Sequence, residues 1–302
     1  MSVEIEEKLK KIPIINAAVF ILKKFKLRSL EGLSLYDLLE MYIIGIIRGA
    51  LTYRASAISF SFFMALFPFL LFLLNMIPYV PIKNFSSEFQ LFIQGLLPPK
   101  SLDFFWPVVQ DIVNKKRSGL LSTGFLLSIF LMANGVNAIF GGFENSYHEN
   151  KARNVFRQYI VAVGTVLILA FLVIAIVVAY IFVQSAINSD WLGYYSDFTS
   201  AISSFVFFGT TIYFITAILY YFGTKQGKEF RFFSPGALLS TILIVLTTYF
   251  FGIYINNFSQ YNELYGTIGG LLILMAYIWL NSNIILLGFE LNASLYSLKH
   301  KF

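Results

Sequence analysis

The residue that stands out chemically is Glu290, an acid set in an otherwise apolar run, with Ile284 to Leu287 before it and Phe289 and Leu291 on either side. A carboxylate in such surroundings needs a partner, and Arg48, Arg54 and Arg157 are the candidate counter-charges. Two roles fit it, a helix-packing ion pair or a contact to substrate or proton. Glu144 and His148 lie one helical turn apart with Glu149 beside them, a small acid/base group that would equally suit the wet end of a helix. Asn137 and Asn283 are amides inside apolar stretches, where hydrogen bonding between helices is the ordinary task. Asn75, Asn134, Asn281, Ser282 and Asn292 are further polar residues of this kind.

Much chemistry is excluded. The chain has no cysteine and only two histidines, His148 and His300. Its sixteen acids are scattered over nearly every loop, so no metal constellation and no metallonuclease site is encoded. No Gly-rich loop ends in Lys-Ser/Thr, which removes a Walker-type ATP site. No cofactor, no metal and no nucleic-acid partner is expected, and the protein is read as a non-enzyme.

The elements that hold these residues are set by composition. Of 302 residues 58% are hydrophobic and 13% charged, and mean hydropathy is +0.73, values that belong to a protein solvated by lipid. A hydrocarbon core of about 30 Å takes about 20 apolar residues in a helix. Six windows reach that length: 55–80, 119–140, 159–183, 198–222, 236–258 and 266–289. Lipid leaves no water for an open sheet edge, so all six are predicted to be helices. The expected fold is all-α, a polytopic transmembrane helical bundle of six spans with interfacial amphipathic helices. Pro68 should bend the first span, and the third window is long enough to tilt or project.

Basic residues orient the bundle. Of the 22 Lys and Arg residues, all but the five in 81–118 (Lys83, Lys100, Lys115, Lys116 and Arg117) fall on one side of the spans, which places both termini in the cytoplasm. The domain reading is a cytoplasmic or interfacial segment 1–54, a membrane domain 55–290 with an external amphipathic loop 81–118, and a cytoplasmic tail 291–302. Residues 34–53 open with Ser34 and Asp37 in a capping-box-like spacing and predict one helix in the cytoplasmic interface. Residues 3–27 alternate apolar residues with lysines, and 85–113 carry two runs at helical spacing around Pro98-Pro99. Asn137 to Glu144 and Asn283 to Glu290 agree at five of eight positions, an echo that pairs spans two and six.

Five segments together carry a family likeness: Arg54-Ala-Ser-Ala-Ile-Ser-Phe, Leu66-Phe-Pro-Phe-Leu-Leu, Ser234-Pro-Gly-Ala-Leu-Leu, Tyr265-Gly-Thr-Ile-Gly-Gly and Leu287-Gly-Phe-Glu-Leu-Asn-Ala293. From about residue 35 onward the chain resembles the YihY/BrkB family of bacterial inner-membrane proteins, once labelled ribonuclease BN. Phe289 stands where that family usually has Ala, and Asn281 where Ser is common. The resemblance implies an envelope function, with transport of lipid or lipopolysaccharide precursors among the roles proposed for members. The expectation is therefore a transport protein of the bacterial inner membrane for a lipid-like substrate. Asn137, Glu144, Asn283 and Glu290 would form the substrate path, and Arg48, Arg54 and Arg157 the lipid head-group or counter-charge sites. The partners expected are membrane lipids. The rival expectation is a scaffold that docks an envelope protein partner through residues 81–118.

Overall fold

The computed structural model describes residues 34–48, 50–76, 123–146, 153–187, 196–229, 232–257 and 267–300. The regular elements among them are helices: α1 Leu35–Arg48, α2 Leu51–Met76, α3 Thr123–Glu144, α4 Val155–Ile187, α5 Ser196–Gly223, a 3-10 turn Gln226–Glu229, α6 Pro235–Asn257 and α7 Thr267–His300. The amphipathic segments expected over 3–27 and 85–113, with His148 and Glu149, lie outside the described residues, as do the side chains of Arg48 and Asn75.

The six apolar windows become α2 to α7. Helices α3 to α7 are long and apolar enough to cross a membrane. Helix α2 has 26 residues, about 39 Å at 1.5 Å per residue, with no charged residue from Ala55 to Leu74. It runs through Pro68 as one helix. Helix α7, at 34 residues, continues past Glu290 to His300, so most of the segment expected as a tail is its last turns.

One boundary differs from the sequence expectation. The interfacial helix predicted over 34–53 stops at Arg48, and α2 begins at Leu51. Between them Ala50 has φ 47°, a left-handed conformation that ends a helix and redirects the chain. Arg54 therefore belongs to the first span. Helix α1 packs mainly on α7, and its Ile43 and Ile47, one turn apart, are exposed, as suits a helix with an apolar face toward lipid.

Local signals fix the other ends. Ser234 caps α6, its Oγ accepting from Ala237 N–H at 3.2 Å with Pro235 in the first helical position. Asn154 does the same for α4, accepting from Phe156 N–H at 3.1 Å. The spans then pack in chain order, and α2 also packs on α7, which closes a ring of six. The middle of the ring is filled at one end, where α3 and α5 finish and α2, α4 and α6 begin. There Phe143 stacks on Phe289 at 4.3 Å and 8° and meets Tyr220 edge-on at 5.6 Å; all three are buried. We call this the basic end, since Arg54, Arg153, Arg157, Lys225 and Lys228 lie there. Away from it packing thins: no residue from 202 to 210 in α5 or from 241 to 250 in α6 is buried.

Candidate functional site

Glu290 is 0% exposed, and Arg54 of α2 is 6% exposed. Arg54 Nη2 donates to Glu290 Oε1 at 2.5 Å, and its Nη1 donates to the Gly142 carbonyl of α3 at 2.7 Å. Ser146, just past α3, donates to Glu290 Oε2 at 2.8 Å. One carboxylate thus ties three spans together from inside the ring. On α1, Tyr42 is near enough that burial, joined by the charge of Glu290, pushes its phenol up to about 12. Arg54 Nε has no hydrogen-bond partner among the described residues, which marks the pair as costly to hold in a dry interior.

A second polar seam lies beside it between α6 and α7. Asn292 accepts from Gly236 N–H at 2.8 Å and donates to Ser234 Oγ at 2.9 Å. Tyr220 of α5 lies 2.6 Å from Ser240 Oγ and donates to the Ile285 carbonyl at 2.8 Å. Gly236 and Gly288 let the two backbones touch: a Cβ on Gly236 would sit 2.0 Å from the Gly288 oxygen.

The third group joins α3, α4 and α5. Glu144 accepts from Arg153 N–H at 3.1 Å. The Gln158 amide, oriented as its neighbours require, donates to Glu144 Oε2 at 3.0 Å and accepts from Gly141 N–H at 3.2 Å, with the Asn137 side chain 3.2 Å from the same oxygen. Arg153 reaches across to the carbonyls of Phe222 and Thr224, the unsatisfied end of α5, where a cation is favoured.

The residues singled out from the sequence therefore separate. Glu290 and Arg54 are bonded to each other. Asn137 and Glu144 meet around Gln158. Asn283 is half-buried and donates to the Trp279 carbonyl of its own helix at 2.8 Å, apart from both groups. Arg157 is exposed near Glu144, and Asn134 is exposed on α3. Sequence reasoning missed Ser146, Gln158, Tyr220 and Ser240, ordinary polar residues with nothing in their spacing to mark them. It read Arg153 only as an orientation signal, and nothing in its spacing marked it as the cap of the distant end of α5.

The echo of Asn137 to Glu144 in Asn283 to Glu290 has a physical counterpart at its Gly and Phe positions. Gly142 and Gly288 are both points of close approach, Gly142 toward Ile58 and Leu286. Phe143 and Phe289 stack on each other. The acids then diverge, because α3 ends at Glu144 while α7 carries Glu290 onward into the core. No three His, Cys, Asp or Glu side chains among the described residues are grouped so as to hold a metal.

The sequence profile of the family described as Virulence factor BrkB matches residues 46–301. The chain is 25% identical over 251 residues to a ribonuclease-like protein, YfkH, of Bacillus subtilis, covering 82% of this chain and 90% of the relative. It is 23% identical over 246 residues to a UPF0761 membrane protein of Aggregatibacter aphrophilus, covering 81% and 87%. A UPF0761 membrane protein of Xanthomonas oryzae is 37% identical over 67 residues, 22% of this chain and 16% of that one. No solved structure matches.

Proposed function

Because the chain belongs to the BrkB family of multi-pass membrane proteins, we propose that it transports an amphipathic, lipid-like molecule in the bacterial cytoplasmic membrane. Its basic end and both termini would face the cytoplasm, since the basic residues of the short loops gather there. The ribonuclease-like name belongs to the B. subtilis relative and is not carried over to this chain.

The observation that carries the reading is the asymmetry of the ring. At the basic end a buried ion pair, a stacked aromatic pair and a glycine seam hold α2, α3, α5, α6 and α7 together. Along α5 and α6 beyond it, runs of nine and ten residues contain none that is buried, so packing is looser on one side of a closed gate. In alternating access the site is fixed and helices rock around it. The Arg54–Glu290 contact is the lock to be broken, because among the described residues it alone spans α2 and α7 with charge at the crossing. The polar path we assign would join, on opening, groups that are separate in this structure: Glu290, the Asn137–Glu144 group and Asn283 further along α7. Arg54 supplies the counter-charge, and Arg157, exposed at the basic end, is a head-group contact.

Vesicles containing the purified protein and a fluorescent anionic lipid in the inner leaflet test this, with surface quenching read against time. Faster appearance of the lipid outside is expected, slowed in Glu290→Gln because a gate that opens but cannot relock does not complete the alternating cycle. Exchange no faster than in empty vesicles would overturn the proposal.

A further inference from the structure

Arg153, Arg157, Lys225 and Lys228 line a groove of about 380 Å³ between the start of α4 and the end of α5. Arg153 is occupied in capping α5 and builds the wall. Arg157, Lys225 and Lys228 are exposed. Glu144 contributes one opposing carboxylate near Arg153 and Lys225, which leaves the described lining of the mouth cationic.

The floor has a different character. Along α4 the lining residues after Arg157 are Val161, Gly164, Thr165 and Ile168, a spacing that keeps them on one helix face. Thr165 donates its hydroxyl proton back to the Val161 carbonyl at 2.8 Å, so it has no donor left to offer a ligand. Nothing lies within 4 Å of where a Gly164 Cβ would stand. From Arg157 to Ile168 the groove descends about 16 Å, roughly half of a 30 Å hydrocarbon core. The ligand chemistry read from this is a phosphate at the mouth joined to an apolar chain one leaflet deep.

We infer that this groove is a binding site for an anionic phospholipid, whose phosphate is held by Arg157, Lys225 and Lys228 and whose acyl chain lies over Gly164 and Ile168. The mouth alone would take any phosphate; the apolar descent is what selects a lipid. The site is separate from the Arg54–Glu290 lock, and it stands whether or not the protein transports lipid.

Native mass spectrometry of the full chain in a neutral detergent tests the inference, with phosphatidylglycerol, phosphatidylcholine and inorganic phosphate as probes and melting temperature as a second readout. Phosphatidylglycerol should be retained preferentially and should raise the melting temperature. The Arg157→Glu/Lys228→Glu variant should lose affinity on the order of tenfold. Gly164→Leu, which fills open space, should weaken phosphatidylglycerol binding without lowering the lipid-free melting temperature. Equal retention of phosphatidylcholine, or unchanged phosphatidylglycerol binding in both variants, would overturn the assignment. Inorganic phosphate giving the same stabilisation, insensitive to Gly164→Leu, would show a free-anion site and overturn it as well.

Discussion

Glu290 and Arg54 attract each other where neither can be hydrated, so their net worth is small although breaking them is expensive. Glu290→Gln leaves a buried guanidinium facing a neutral amide, and should cost about 3–5 kcal/mol of stability. Replacing both, as Arg54→Met with Glu290→Leu, should cost clearly less than the single change, as read by thermal melts of each variant in the same detergent. A single variant as stable as the parent would contradict the burial described. Glu290 was legible because an acid in an apolar run is conspicuous, and Arg54 was one of three candidate partners. Choosing among the three needed the helix break at Ala50, which carries Arg54 into the first span. Ser146 was illegible, since a serine among loop polar residues carries no sign of what it will bond.

The six spans could be read at the scale of elements because lipid imposes one length and one backbone solution on each of them. The α1–α2 boundary was not. Gly49 is an ordinary stop signal, but the apolar spacing continues across it into Leu51. The turn itself falls on Ala50, a residue that rarely adopts positive φ. The helix crossings are where small residues become decisive. Gly288→Ala would put a Cβ 2.0 Å from Ser240 Oγ and 2.5 Å from the Gly236 oxygen, and is expected to destabilise by about 1–3 kcal/mol through overpacking. Gly164→Ala meets open space and should be neutral or stabilising by up to about 1 kcal/mol, the usual helix preference of alanine over glycine. Melting both in parallel checks the pair, and an equal response would remove the glycine seam from the account. The sequence pointed to Gly236 through Pro235-Gly236-Ala237. Its partner Gly288 drew attention only through the echo with Gly142.

For the whole molecule, hydropathy gave the spans and basic residues an expected sidedness, but neither says which helices are neighbours. The ring and its filled basic end come from shape: Phe143 on Phe289, α6 laid on α7, and α3 reaching across to α5. The cationic groove beside Glu144 was hidden for the same reason, since its residues come from two separate stretches that the sequence records only as positive charge. The central claim is that the buried Arg54–Glu290 contact keeps this end of the ring shut. The chain has no cysteine, and Ser294, one turn beyond Glu290 on α7, is fully buried. A single Ser294→Cys substitution therefore supplies a thiol that reports opening. Its rate of labelling by a membrane-impermeant maleimide, compared between this variant and Ser294→Cys/Glu290→Gln in lipid nanodiscs, is the most direct test. Loss of the lock should speed labelling roughly 100-fold, the equivalent of about 3 kcal/mol; the same slow rate in both would contradict the account.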